Sequence, residues 1–340
     1  MKKIVFPAAA LAVCIAFYAC SGKDAAKPTR STFIMNVPAS VTVYGSGDAE
    51  AGRIADAVLN EWKRISAEYS FSEPYSATSY LNKKAYGEWV KVEDEFLMLL
   101  QLSMDYYKLT GGAFDVTFGP LWPIWQEAAS SKKMPAKEDI IKALMNIGSE
   151  YVQIDRARKL VRFTKPVQVN MGGILRGYCF VRGYKLLKEL AGNNYAVELR
   201  LGGYMLAYGR RDWSYDVGDP FHDDKILGRF VFQDGVVMSS SGRDRFVQIE
   251  GKLYSHILDL RTGYPLSDFS NLIVYFPSME GENYLSSVVL AVIGKEKAFE
   301  LLGGMKGAAA LWIDGSGNRD IFSNADSKAR WKKRGTLLDN

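Results

Sequence analysis

The sequence predicts an α+β protein, one large domain of mixed, mainly antiparallel strands with packed helices. Three observations lead there. Helical and strand-like stretches mix along the 340 residues without the regular βαβ alternation of a doubly wound sheet. From residue 195 onward, short β-branched and aromatic runs follow one another, separated by turn signals such as Asp234-Gly235 and Glu250-Gly251. No linker, internal repeat or low-complexity segment divides residues 31–325, which are taken as the domain.

The elements follow in chain order. Lys2 and Lys3 precede an almost unbroken apolar run, Ile4 to Ala19, which reads as the h-region of a signal peptide covering residues 1–20. It ends at Ala19-Cys20-Ser21-Gly22, so Cys20 is expected to become a lipidated amino-terminus. Plain cleavage nearby, releasing a soluble protein, is the alternative. Residues 21–30 are small, polar and charged and suit a flexible tether. Thr32 to Tyr44 reads as a strand interrupted at Pro38. Asp48 opens a helix with Ala51, Ile54, Ala55, Val58, Leu59, Trp62 and Ile65 at helical spacing.

Residues 69–90 lack periodicity and read as a long loop. A second helix carries Phe96, Leu99, Leu100, Met104 and Tyr107 and stops at Gly111-Gly112. A short helix over 136–147 leads to strands at 150–155 and 159–164, and Gly172-Gly173 opens a helix running to Leu190. Strands are expected at 195–201, 204–209, 213–217, 228–233, 245–250, 253–258 and 272–276. A helix over 282–305 and a strand over 308–313 follow. Residues 326–340 read as a basic tail, with Lys328 to Arg334 the one dense basic cluster.

Composition narrows the function classes. Apolar residues make up 48% and aromatic residues 13%, ample for a large core. The net charge of +5 is spread among acidic neighbours, and an exported protein rarely meets nucleic acid, so no nucleic-acid partner is expected. Once Cys14 and Cys20 are set aside, Cys179 has no partner for a disulfide. With His222 and His256 the only histidines, a zinc cluster is not expected.

Three glycine-bearing segments carry candidate chemistry. The first runs from Gly111 to Trp122 and contains Asp115 between glycines. The second, Val169 to Tyr178, passes from strand to helix. Its Gly172 and Gly173 allow close backbone approach, the helix N-terminus suits a phosphate, and Arg176 adds a cation in the first turn. The third, His256 to Pro265, sets a histidine, a carboxylate and an arginine in a turn. Each alone is compatible with an ordinary turn or helix cap.

Together and in this order they resemble the family of bacterial FAD:protein FMN transferases, once described as thiamine-biosynthesis lipoproteins. The likeness covers nearly the whole mature chain. It rests on Met35, Ser76-Ala-Thr-Ser-Tyr-Leu-Asn82, Gly112-Ala-Phe-Asp115, Gly172-Gly-Ile-Leu-Arg-Gly-Tyr178, Leu201-Gly-Gly203, Ser241-Gly242, His256-Ile-Leu-Asp259 and Arg261-Thr-Gly263. The resemblance implies a cleft for FAD and transfer of its FMN half to a threonine or serine hydroxyl of an exported protein, with AMP released and magnesium assisting. By the same likeness Met35, Thr78, Ser79, Asp115, Tyr178, His256 and Ile257 contact the flavin nucleotide, and the main chain of Leu175 helps to hold the metal.

The departures are as informative. Where the family's late helix offers aspartate and threonine oxygens to magnesium, this chain has Tyr284 and Val288. A neutral phenol and a valine are poor stand-ins for hard oxygen ligands; a register shift would bring in Ser286 or Ser287 instead, though neither carries charge. Asn170, Val181 and Tyr204 replace family aspartates, Arg243-Asp244-Arg245 shortens an acidic segment, Arg176 replaces a lysine, and Leu260 replaces a proline. The pocket loses negative charge and gains positive charge. A family member that binds FAD or a related nucleotide without transferring it is therefore the competing expectation.

Overall fold

A computed structural model of the chain describes residues 28–242, 246–250, 252–280 and 285–334. The expected signal peptide, Cys20 and Tyr284 lie outside those residues. The strand-rich pattern resolves into an eight-stranded sheet. Its strands are β1 (Thr29–Ile34), β2 (Val37–Tyr44), β3 (Ala196–Leu201), β4 (Tyr204–Tyr208), β5 (Gly235–Ser241), β6 (Phe269–Phe276), β7 (Ala309–Asp314) and β8 (Arg319–Ser323). They lie side by side in chain order, and every neighbouring pair is antiparallel. The α+β expectation is met.

Both faces of the sheet are covered, which explains why its central strands are continuously apolar. Leu206, Val236, Met238, Leu272, Val274 and Trp312 face a core shared with the helices. Met205, Val237, Ile273, Tyr275, Leu311 and Ile313 face a second core. That second core is closed by a three-stranded sheet of Trp213–Asp219, His222–Phe232 and Arg330–Lys333. Part of the expected basic tail thus forms an edge strand, and Trp331 packs on Phe230 with ring centroids 5.3 Å apart.

Eight helices are described: α1 (Asp48–Tyr69), α2 (Ala77–Lys84), α3 (Asp94–Leu109), α4 (Trp122–Ser131), α5 (Lys137–Leu144), α6 (Gly172–Leu190), α7 (Ser287–Ile293) and α8 (Lys295–Gly303). The apolar stripe predicted for α1 is the face it buries. Trp62 on that stripe is fully buried and donates its indole N–H to the Cys179 carbonyl of α6 at 2.6 Å. At Gly183 a Cβ would come within 2.9 Å of Leu199 on β3. Glycine there lets α6 lie directly on the sheet and fixes where its N-terminus points. Truncating Trp62 would cost about 3–5 kcal/mol, the usual loss for a large buried aromatic.

Several boundaries differ from expectation. The strand over 32–44 is a hairpin that turns at Met35-Asn36, with φ of 52° and 59°, and Pro38 pairs with Phe33 inside β2. Two successive left-handed residues give the tight turn whose twist matches the flanking strands. The loop over 69–90 contains α2, N-capped by Ser76, whose hydroxyl accepts the Ser79 N–H. The helix over 282–305 is two helices, α7 and α8, broken at Gly294 with φ 86°. Helix α4 and strands β5 and β8 were not anticipated. Among the described residues no helix is long and apolar enough to cross a membrane.

Candidate functional site

One cleft gathers the glycine-bearing segments. It has a volume of about 480 Å³ and opens between the β1–β2 turn, the loop after α1, the Ala113–Phe118 loop, the N-terminus of α6, the β3–β4 turn and the His256–Leu258 segment. Of the residues expected to bind the nucleotide, Met35, Asp115, Gly172, Gly173, Arg176, His256 and Ile257 line it together, and so do Leu175 and Val288. Gly173 is required by space, because a Cβ there would sit 2.8 Å from the Phe114 ring.

Thr78, Ser79 and Tyr178 are not among the lining residues, and their hydroxyls are engaged elsewhere. Thr78 is buried and donates to the Tyr69 carbonyl at 2.9 Å, and Ser79 donates to the Glu73 carbonyl at 2.7 Å. Both tie down the loop whose Ser70, Phe71 and Ser72 do line the cleft. Tyr178 points out of the cleft and donates to Glu95 at 2.6 Å. Asn82, from the same motif as Thr78, holds both the N–H and the carbonyl of Val169 and so anchors the approach to α6. These residues position the site.

Asp115 reaches the cleft, yet its carboxylate is occupied. It accepts from the backbone N–H and hydroxyl of Thr117 and of Ser149, at 2.7–2.8 Å. Burial raises its pKa, and those four hydrogen bonds oppose the rise without cancelling it. The residue therefore fastens the glycine-rich loop to the Ser149 turn. Beside it, the Asn170 side-chain oxygen accepts the Gly172 N–H at 3.0 Å, at the start of α6.

Arg176 is the only Lys or Arg among the described residues lining the cleft, and Asp115 the only acid. Among the described residues no carboxylate pairs with Arg176; its guanidinium lies over the Tyr204 ring, 5.5 Å from the centroid. The Tyr204 hydroxyl is 3.0 Å from Ser287 Oγ and 3.2 Å from Ser286 Oγ. Ser287 Oγ is 2.8 Å from Ser240 Oγ, and Ser286 donates to the Gly173 carbonyl at 3.3 Å. Sequence reasoning singled out Tyr204, Ser286 and Ser287 but missed Ser240 and the bonding among the four, along with the apolar lining residues Phe71, Phe118 and Trp122. Phe118 and Trp122, four residues apart with rings 6.2 Å from centroid to centroid, were at least visible in the first glycine segment.

Comparison with known proteins decides what kind of cleft this is. The profile described as the ApbE family matches residues 35–312. The chain belongs to the ApbE family. The ApbE protein of Thermotoga maritima has a similar structure, with a TM-score of 0.78, 26% identity, and coverage of 87% of this chain and 97% of that one. The flavinyl transferase ApbE of Pseudomonas stutzeri shares the fold at a TM-score of 0.69 and 21% identity, over 88% of this chain and 95% of that one. The FAD:protein FMN transferase of Klebsiella pneumoniae is 24% identical over 305 residues, covering 88% of this chain and 93% of its own. That of Chlamydia pneumoniae is 26% identical over 244 residues, 69% of this chain and 75% of its own.

Within this cleft the described side chains do not make a magnesium site. Among the described residues no group of three or more His, Cys, Asp or Glu gathers that could hold a metal. Val288 contributes methyl groups, and the Tyr204 hydroxyl is committed to two serines. Magnesium needs several hard oxygens in near-octahedral array, and this corner offers neutral, mutually bonded hydroxyls.

Proposed function

We propose that this protein is a FAD:protein FMN transferase acting on a threonine or serine of an exported acceptor protein. The observation that carries the reading is an Arg176 with no ion-pair partner among the described residues, beside the Gly172-Gly173 helix start in an ApbE-family cleft. A diphosphate meets there the positive end of the α6 dipole, the Gly173 N–H and a guanidinium able to bond two phosphate oxygens. Phe71, Phe118 and Trp122 supply aromatic surface for the ring systems at either end of the dinucleotide.

In the reaction, the acceptor hydroxyl oxygen bonds to the phosphorus on the flavin side of the diphosphate. The phosphoanhydride bond to the AMP phosphate breaks, AMP leaves with the bonding electron pair, and the hydroxyl proton is released to solvent. The chain's part is to hold the diphosphate in line with the hydroxyl and to offset its charge with Arg176. Incubation with FAD and an exported protein bearing an acceptor threonine should give a covalently bound, UV-fluorescent flavin that survives denaturing electrophoresis. Absence of covalent flavin with every acceptor tried would count against transfer.

One observation favours a second reading, a member that binds the dinucleotide without transferring it: Val288 stands where relatives are expected to offer an oxygen to a metal. FAD binding with no covalent product would select that reading.

We also infer export and anchoring through Cys20, supported by Lys2, Lys3, the apolar run to Ala19 and the small residues flanking the cysteine. Radiolabelled palmitate incorporated by the wild type and not by Cys20→Ser would support it; equal labelling of both would refute it.

A further inference from the structure

We propose that dinucleotide binding in this cleft requires no divalent cation, the place of a metal being filled by a closed set of neutral hydroxyls and its charge role passing to Arg176. This rests on the reading of the cleft as a FAD site.

The proton inventory carries the first half. A serine or tyrosine hydroxyl has one proton to donate. Tyr204, Ser240, Ser286 and Ser287 bring four such protons to four contacts. Ser286 gives its proton to the Gly173 carbonyl, so Tyr204 must donate to Ser286, Ser287 to Tyr204, and Ser240 to Ser287. Every proton is placed and no oxygen needs to be ionised. All four residues are buried, Ser286 and Ser287 completely. A cation entering here would have to break this set and would find no anionic side-chain oxygen among the described residues in return. Val288 closes the same corner with a methyl group 3.9 Å from where a Cβ on Gly173 would stand.

The second half follows from charge. With Asp115 saturated by its four donors, Arg176 is the one Lys or Arg side chain in the described lining, and no described carboxylate competes for it. Tyr204 joins the two halves, closing the hydroxyl set with its oxygen while its ring supports the guanidinium. An arginine can bond two oxygens of a diphosphate at once and stays charged at any working pH.

The test is FAD titration of the full-length protein in detergent, read by flavin fluorescence, in metal-stripped buffer with EDTA and again with millimolar magnesium. The two Kd values should agree within about twofold, and Arg176→Gln should raise both by about tenfold or more. Arg176→Lys should recover part of that loss. A Kd that worsens about tenfold or more in EDTA overturns the inference while leaving the FAD site standing. An Arg176→Gln protein that binds as tightly as wild type overturns it as well. No FAD binding in either buffer removes the FAD-site reading itself, and this inference with it.

Discussion

Two arginines on α6 live in opposite surroundings. Arg182 donates to Glu61 at 2.8 Å, and Glu61 also holds Arg64 at 2.9 Å. Arg64 reaches on to Glu95 at 2.8 Å, and Glu95 accepts the hydroxyls of Tyr69 and Tyr178. This network ties α1, α3 and α6 together, and none of its members lines the cleft. Six residues earlier on the same helix, Arg176 has a tyrosine ring for company and, among the described residues, no carboxylate. The difference separates charge that holds the fold from charge kept for a ligand. A paired cation is already satisfied, whereas one without a carboxylate beside a helix N-terminus is offered to whatever anion enters.

The carboxylates repeat the contrast, and the largest expected effect lies with Asp115. Asp115→Ala leaves two buried backbone N–H groups and two hydroxyls without their acceptor, which should cost about 2–4 kcal/mol in urea unfolding. A loss below about 0.5 kcal/mol would show that the loop is held by something else.

Glu95 comes next. Burial pushes its carboxyl up, but the hydrogen bonds from Arg64, Tyr178 and Tyr69 outweigh that and hold its pKa at about 2. A carboxyl depressed in the folded state adds stability above its unfolded pKa and loses it as pH falls toward the folded one. Glu95 remains partly open to solvent, so this is worth about 1–2 kcal/mol. Glu95→Gln should lose that amount at pH 7, the gap to wild type should narrow as pH drops from about 4.5 toward 2, and FAD affinity should stay within about twofold. Asp115 has the opposite sign: burial raises its carboxyl, so its ionisation opposes folding at neutral pH and acid relieves it. Comparing wild type with Glu95→Gln removes that common background. A gap that does not change with pH would mean the Glu95 charge contributes nothing.

What was readable in the sequence follows from how locally each feature is encoded. Helix α1 shows because one face of 22 residues is apolar at helical spacing. Helix α2 does not, because only Thr78 and Leu81 of its eight residues are buried and no stripe forms. The β1–β2 turn hid behind Met35 and Asn36, a pair without the glycine that usually announces a left-handed turn. The edge strand at Arg330–Lys333 was masked by its charges, with Trp331 the one residue that signals packing.

At the site, the glycine segments and Arg176 were legible from their order and likeness to a family. The engagement of Tyr178 with Glu95 was not, since the partners lie 83 positions apart. That Tyr204 and Ser240 close a set with Ser286 and Ser287 was beyond reach for the same reason. Tyr204 comes from β4, Ser240 from β5, and Ser286 and Ser287 from the start of α7, and only the sheet brings them together.

The smallest expected effect sharpens the comparison most. If Arg176 is reserved for a ligand, removing its charge should leave the unliganded fold almost untouched. Arg176→Gln should change unfolding stability by no more than about 0.5 kcal/mol, the range of a substitution that breaks no ion pair and only a distant ring contact. Arg182→Gln should cost more, because it leaves Glu61, a half-shielded carboxylate, with Arg64 alone. The two variants remove the same charge from the same helix, so net charge and helix propensity cancel between them. What remains is the difference in partners. Added FAD should then stabilise wild type and Arg182→Gln alike, raising Tm as binding to the native state requires, and stabilise Arg176→Gln much less. Equal losses of stability in both variants, with equal protection by FAD, would erase the distinction between the two arginines.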